Sequence, residues 1–512
     1  MEAMMNRRRF LFSVPPALAV FGTSTHPLWA VSAPAQSPLI FRVARDQEIN
    51  VIPQNVMGLS YESTQLGEPK FFDASNKTLV KFLQTLSPHG SLRLGGNTCE
   101  FTYFKADATV QAPAWSPLPT QPKDLTPITP EALHNLRGFL EATGWNCIYS
   151  LNLGTATPDR VAEEAAAVTE ILGPKLDYLQ IGNEPNNYIR YKLRPDTWNE
   201  KTYLAEWLSF ARAVVKRVPE AKLGGPDMGA ERPWMQLFAD EAVSAMGENL
   251  VAITDHFYAE GPPSSPESTM HNLLYNTKID KEIAVTVEAG KKAKLPYRMT
   301  EVNSCYSGGK PGVSDTLGSA LWAGDLTLKL VMAGFSGINF HGGSARLIKA
   351  SLGGQLPGDT VAKSEAANSY YTPIAEDGVS GYAARPIFYG MLLAARMAGS
   401  TLVQGAFSVP QTALAAYPAR GADGRSMQIA LFNKGTEAMD VLLSPGKTFH
   451  AASVLRLTGP AIDATSGIRF GGARIAGDGS WNPGPGEILH RTAAGAFKLS
   501  MPPSSAALVH IR

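Results

Sequence analysis

The stretch LDYLQIGNEPNN, residues 176–187, sets the frame for reading the whole chain. Residues 176–181 form an apolar run that reads as a buried strand, and it hands Asn183 and Glu184 to a turn fixed by Pro185, where a carboxylate meets solvent. Similar runs flank it on both sides. Residues 56–63, 91–97, 147–154, 178–184, 222–228, 253–258, 297–303 and 337–341 are short and apolar or β-rich. Among the intervening segments, 158–172 and 203–218 carry the apolar spacing of helices packed on a sheet. Strand and helix alternating in this number predict an α/β fold, a (β/α)8 barrel over residues 51–398. In such a barrel reactive groups stand at the C-terminal ends of the strands. Glu184 ends the fourth run and Glu301, in YRMTEVNS, ends the seventh.

Outside the barrel the pattern changes. From residue 399 to 512, short β-rich segments such as 427–432 and 506–511 alternate with Gly/Pro/Asn/Asp turns, which predicts an appended β-sandwich. Residues 36–50, upstream of the first barrel run, are expected to add a strand to it. Residues 384–398 read as the last barrel helix, and 112–130 and 354–382 as long loops. At the N-terminus, Arg7, Arg8 and Arg9 precede an apolar stretch over 10–21, and a small-residue signal ends at Ala33-Pro34-Ala35. Residues 1–35 therefore read as an export peptide resembling the twin-arginine type, which implies a periplasmic or secreted protein.

The 512 residues suffice for a barrel of about 250 residues plus a second module. A net charge of +1 provides no global field for nucleic acid or acidic lipid. After the leader no run reaches the roughly 20 apolar residues of a membrane span, so neither nucleic acid nor membrane is an expected partner. The three cysteines, Cys99, Cys147 and Cys305, include no CxxC pair and read as buried thiols. The nine histidines show no HExxH, and GxGxxG, GxxxxGK and GxSxG are absent from the sequence. No metal or organic cofactor is expected.

Two glutamates presented at one rim suit glycoside hydrolysis. A retaining mechanism needs an acid for the departing oxygen and a carboxylate nucleophile about 5 to 5.5 Å away. Glu184 is assigned as acid and Glu301 as nucleophile, the first protonated and the second ionised at working pH. Asn183 reads either as a turn residue or as an amide for a sugar hydroxyl. His256 and Tyr258 end the sixth run beside Glu301, so the Tyr258 phenol either packs in the core or donates to the nucleophile.

LSYES (59–63), LRLGGN (92–97), QIGNEPNNY (180–188), GGPDMG (224–229), DHFY (255–258) and TEVNSCYSGG (300–309) together resemble glycoside hydrolase family 79, the β-glucuronidase and heparanase family. The resemblance runs from about residue 38 to the C-terminus. It implies sugar-hydroxyl contacts from Glu62 and Asn97, and a uronate carboxylate held by Tyr306 and the backbone N–H of Gly308. Lys310 has no role implied and is expected to be solvated. His341 ends the eighth run and reads equally as a core histidine or a cleft residue. Tyr370, Tyr371 and Tyr382 are candidates for a further carboxylate or aglycone contact.

The resulting expectation is an exo-β-glucuronidase acting on a glucuronic-acid-containing glycan or glycoside by double displacement. A heparanase-like endo enzyme would need Lys and Arg lining an open cleft, and no such run follows the leader. A sibling arabinofuranosidase or xylosidase needs no carboxylate pocket. A non-catalytic carbohydrate-binding barrel would have no use for both glutamates.

Overall fold

The computed structural model describes residues 39–512 apart from 119–120, 230, 276, 344–368, 378–380 and 447. The export segment read at 1–35 and most of the loop read at 354–382 lie outside the described residues. Eight parallel strands close into a barrel: Met57–Glu62, Ser91–Gly95, Asn146–Leu151, Leu176–Ile181, Leu223–Gly229, Leu250–Glu260, Tyr297–Cys305 and Ile338–His341. They follow one another in chain order around the ring, the eighth pairing with the first. These are strands one to eight below.

Local sequence sets the helices between them. Pro130–Thr143 starts on Thr129, whose hydroxyl accepts from the Ala132 N–H, with Pro130 in the first turn, and it stops at Gly144 with φ 80°. Only glycine takes that left-handed stop without strain. Pro158–Leu172 spans the segment where helical spacing is read. The last barrel helix runs Pro386–Ala395, a little inside 384–398. The reason is local: Gly381–Ala384 is a strand paired with Ile374–Asp377, and Pro386 then fixes the first helical turn.

Leu39–Val51 lies in a ten-stranded sheet, antiparallel to Thr401–Phe407 and parallel to Met439–Ser444. The two ends of this sheet share one core, in which Phe41, Val403, Ile429, Val441, Phe497 and Val509 are buried together. Alternate residues of the same strands, including Ala419, Ala430, Phe432 and Leu508, join the barrel's core instead. The helices Leu317–Met332 and Pro386–Ala395 are therefore covered on both sides, and almost every residue in them is buried. They approach so closely that a Cβ on Gly390 would stand 1.7 Å from the Ala320 carbonyl oxygen. Between barrel and sheet, Asp325 accepts from Tyr417 at 2.5 Å and from Lys434 Nζ at 2.7 Å. All three cysteines are free and buried. Among the described residues no helix is long and apolar enough to cross a membrane.

Within the loop read at 112–130, Thr126–Ile128 forms a short strand parallel to Thr102–Phe104. It holds the proline-rich segment over the C-terminal end of the barrel, the end where strand four delivers Glu184.

Candidate active site

Glu184 follows strand four with φ 46°, ψ 54°, a left-handed conformation that a side-chain-bearing residue seldom adopts. Asp227 (φ 62°) and Ser307 (φ 63°) share that region and lie near the same rim. Such conformations cost of order 1 to 3 kcal/mol each and persist where surrounding bonds over-determine them. Here the bonds are visible. The Glu184 N–H donates to the Asp227 carbonyl at 2.9 Å, and the preceding Asn183 N–H donates to buried Glu100 at 2.7 Å. Glu100 also accepts from the Gly154 N–H at 2.6 Å and from the Tyr188 hydroxyl. The turn carrying the acid is thus pinned from strands two, three and five.

Arg93, on strand two, is completely buried inside the barrel. Its guanidinium donates to Glu301 Oε2 at 2.6 Å, Asp227 Oδ2 at 2.5 Å, Asn183 Oδ1 at 2.7 Å, Ser60 Oγ at 3.1 Å and Gln180 Oε1 at 3.3 Å. Asp227 accepts in addition from Thr300 Oγ1 at 2.7 Å, from His256 Nε2 at 2.9 Å and from the Gln180 amide. Two register shifts make this possible. The pairing of strands five and six skips Asp227, and that of strands six and seven skips Thr300. A bulge re-aims the side chains next to it, and here it turns Asp227 and Glu301 toward the same guanidinium.

Glu301 holds its second oxygen, Oε1, against the Tyr258 hydroxyl at 2.7 Å. Burial opposes its charge, but His341, His256, Arg93 and the Tyr258 hydrogen bond outweigh it and bring the carboxyl down to about 2. Glu301 is ionised at any working pH. His256 bridges the two halves of the site, Nε2 on Asp227 and Nδ1 on Glu184 Oε1 at 3.2 Å. Burial lowers its basicity, yet Asp227 and Glu301 push it up to about 10. It is a cation donating from both nitrogens.

That raised value has a thermodynamic consequence. A group more basic in the folded chain than in the unfolded one stabilises the fold fully below its unfolded value of about 6.5, and this stabilisation is lost as pH rises through the folded value. His256→Gln is therefore expected to be less stable than the parent at pH 6, with the gap closing between pH 7 and 10. Urea unfolding midpoints across that range measure it.

Glu184, Glu301, Glu62, Asn97, Tyr258, Tyr306 and His341 line one cleft, together with Asn187, Arg190, Ser307 and Tyr371. It encloses about 820 Å³, open solvent at its mouth included. One carboxylate oxygen of Glu184, one of Glu301 and one nitrogen of His256 lie within 4.8 Å of one another. Glu184 keeps 17% of its side chain exposed and accepts from Asn187 Nδ2 at 3.0 Å. Glu62 accepts from the Thr98 N–H at 2.9 Å and faces His341 Nε2 at 3.5 Å. His341 is buried and still reaches the cleft, with Nδ1 on Ser60 at 3.1 Å. Asn183 is buried behind the cleft, its amide donating to Asn97 at 3.0 Å. Gly308 and Gly309 (φ 86° and 85°) form a tight turn after strand seven. The Gly308 carbonyl accepts from the Tyr370 N–H at 2.8 Å, and a Cβ on Gly309 would meet the Tyr371 nitrogen at 2.8 Å. This close approach sets Tyr371 in the cleft, its ring 6.2 Å from that of Tyr258.

Two expectations are corrected. Lys310 is half-buried and not free in solvent: its ammonium donates to the Ser268 carbonyl at 2.7 Å. Tyr382 accepts from Asn76 Nδ2 at 2.8 Å and does not line the cleft. Reading the sequence assigned no role to Arg93, Asp227 or Glu100. The visible signal was a charge between Leu92 and Leu94 in a strand that a closed barrel buries along its whole length, since a charge in that position must be paired.

The cluster Glu184, His256 and Glu301 has the donor types of a metal site. Its chemistry does not suit a cation. Both nitrogens of His256 already lie against carboxylates, Nδ1 at 3.2 Å from Glu184 and Nε2 at 2.9 Å from Asp227, and Glu301 already faces a guanidinium.

No family model matches the chain. Over 310 residues it is 27% identical to a β-glucuronidase of Aspergillus niger, covering 54% of this chain and 55% of that one. A β-glucuronidase of Neurospora crassa matches at 26% over 49% and 50% of the two chains, and a heparanase of Mus musculus at 27% over 38% of each. The chain thus spans about half the length of the curated β-glucuronidases it matches. These relatives come from the group that its motifs resemble. Among solved structures, a 4-O-α-L-rhamnosyl-β-D-glucuronidase from Fusarium oxysporum superposes with TM-score 0.70 at 17% identity, over 91% of this chain and 99% of that one. An α-L-arabinofuranosidase from Thermotoga maritima reaches 0.64 at 14%, over 92% and 99%. The shared architecture is a barrel with an appended β-domain.

Proposed function

We propose that the chain is a retaining exo-β-glucuronidase, exported through residues 1–35, that removes a terminal β-linked glucuronic acid from glycans or glycosides by double displacement. The observation that carries this reading is the approach of the Glu184 and Glu301 carboxylates to within 4.8 Å. That spacing suits direct attack and leaves no room for the intervening water of an inverting enzyme.

In the first step Glu301 attacks the anomeric carbon while Glu184 gives its proton to the glycosidic oxygen. The bond from C1 to that oxygen breaks, and the aglycone leaves as an alcohol. Water then attacks C1, Glu184 takes its proton, and Glu301 departs as carboxylate. His256 Nδ1, 3.2 Å from Glu184 Oε1, holds that carboxyl in place through both steps. Preference for the uronate is supported by Tyr306 and Tyr371, neutral donors that line the cleft with Glu301.

A heparanase-like endo enzyme on sulfated glycosaminoglycan has less support: among the described residues lining the cleft, Arg190 is the single Lys or Arg. A binding-only barrel has less again, because a strained acid and a buried ionised nucleophile are costly to keep without use. Aryl glycosides that differ only at C5 test the reading. The β-glucuronide is expected to exceed the β-glucoside and β-xyloside in kcat/KM by about a hundredfold or more. Equal or faster turnover of the xyloside, or of an α-L-arabinofuranoside, overturns it.

A further inference from the structure

Beside the catalytic cleft lies a second, shallower depression. Trp115, Leu118 and Gln121 of the proline-rich loop form one wall, Lys192 and Leu193 the other, and Thr155 stands at its base. It encloses about 950 Å³, open solvent included. Tyr191 joins it to the cleft. The Tyr191 hydroxyl meets Asn97 Nδ2 at 3.4 Å on the cleft side, and its carbonyl accepts from Gln121 Nε2 at 2.8 Å on the other. The same short segment begins at Glu184, passes Arg190 on the cleft wall, and reaches Lys192 with φ 57°.

We infer that this depression is an extended aglycone site that takes the sugar units next to the cleaved bond in an acidic glycan chain. This deepens the glucuronidase reading and rests on it. The direction follows from chemistry, because the acid protonates the leaving oxygen and so stands on the aglycone side, and the depression continues from the acid's own loop. The ligand class follows from the lining. Trp115 and Leu118 offer apolar surface to the C–H faces of pyranose rings, while Gln121 and Thr155 offer hydrogen bonds to hydroxyls. Among the described residues no carboxylate lines the depression, and Lys192 with Arg190 of the adjoining cleft wall gives that side a positive sign. A carboxylate or sulfate on the second or third sugar fits this; a neutral chain leaves the cations without a role.

The test compares 4-nitrophenyl β-D-glucuronide, whose aglycone is too short to fill the depression, with a tetrasaccharide bearing a terminal β-glucuronic acid and a second uronic acid at its third position. Trp115→Ala is expected to lower kcat/KM for the tetrasaccharide by about tenfold or more, with the aryl substrate held within about twofold. Lys192→Gly, which suits the left-handed backbone, is expected to lower the tetrasaccharide value by about threefold at low salt, with the deficit vanishing toward 1 M NaCl. Unchanged tetrasaccharide turnover in both variants, or an equal fall for both substrates, overturns the assignment. If the parent enzyme cleaves neither substrate, the glucuronidase reading itself fails and the depression loses its role. If it cleaves the aryl glucuronide and the variants leave the tetrasaccharide unaffected, only the aglycone site fails.

Discussion

Glu301→Gln is expected to lower turnover of an aryl β-glucuronide by at least about a thousandfold, because the group that forms the covalent bond is removed while the shape of the site stays. Two contrasts make the result specific. The variant is expected to bind substrate nearly as well as the parent, since the proposed binding contacts from Glu62, Asn97 and Tyr306, which line the same cleft, are left in place. Glu184→Gln is expected to behave differently. Loss of a general acid costs about 10² to 10⁴ where the leaving group needs a proton, and much less where it is a stabilised phenolate. Its defect should be large on an alkyl glucuronide and small, in the first step, on the 4-nitrophenyl compound. Steady-state and burst kinetics on the two substrates measure this. Similar losses on both for Glu184→Gln, or activity within about tenfold of the parent for Glu301→Gln, contradict the assigned roles.

The second large effect concerns stability as well as rate. Arg93→Leu leaves Asp227 and Glu301 buried without the guanidinium that now touches both. Removing one partner from a buried ion-pair network costs about 3 to 5 kcal/mol. Arg93→Lys keeps the charge but not the planar fork that reaches five acceptors, so it should recover part of the loss. The pH dependence gives the network a signature. Both carboxylates titrate lower in the folded chain than in the unfolded one. They therefore stabilise the fold above the unfolded value of about 4, and that contribution is lost as pH falls through the lower folded values. The stability gap between parent and Arg93→Leu should accordingly be full at pH 6 and shrink below pH 4. A gap that stays constant down to pH 3 would mean that lost packing, not lost charge pairing, explains the variant. Activity should fall with it, because Glu301 without Arg93 is harder to ionise.

What could be read from the sequence was local. Eight apolar runs with turn residues after them gave the barrel, and Pro185 after Asn183 and Glu184 marked where strand four meets solvent. Glu301 was found because a carboxylate interrupts a buried run; the strand continues past it to Cys305, so it stands within strand seven and not at its end. The polar interior was not found, for a reason of distance. Arg93 stands out between two leucines, but Gln180, Asp227 and Glu301 reach it only when the barrel closes. The bulges at Asp227 and Thr300 break the two-residue alternation that sequence reading depends on, so neither side chain could be assigned a direction. Lys310 was misread because its partner is a backbone carbonyl at Ser268, and a carbonyl leaves no mark in the sequence. Among the three tyrosines left open, Tyr371 reaches the cleft because Gly309 lets its backbone come close, and that contact belongs to a loop with no regular pattern.

One measurement bears most directly on the convergence of the two glutamates. Incubation with 2-deoxy-2-fluoro-β-D-glucuronyl fluoride, followed by proteolysis and mass spectrometry, should find a single fluoroglucuronyl ester on Glu301 in the parent and no such ester in Glu301→Gln. An ester on any other carboxylate, or full resistance to the reagent in a protein that releases α-glucuronic acid as its first product from a β-glucuronide, would contradict it.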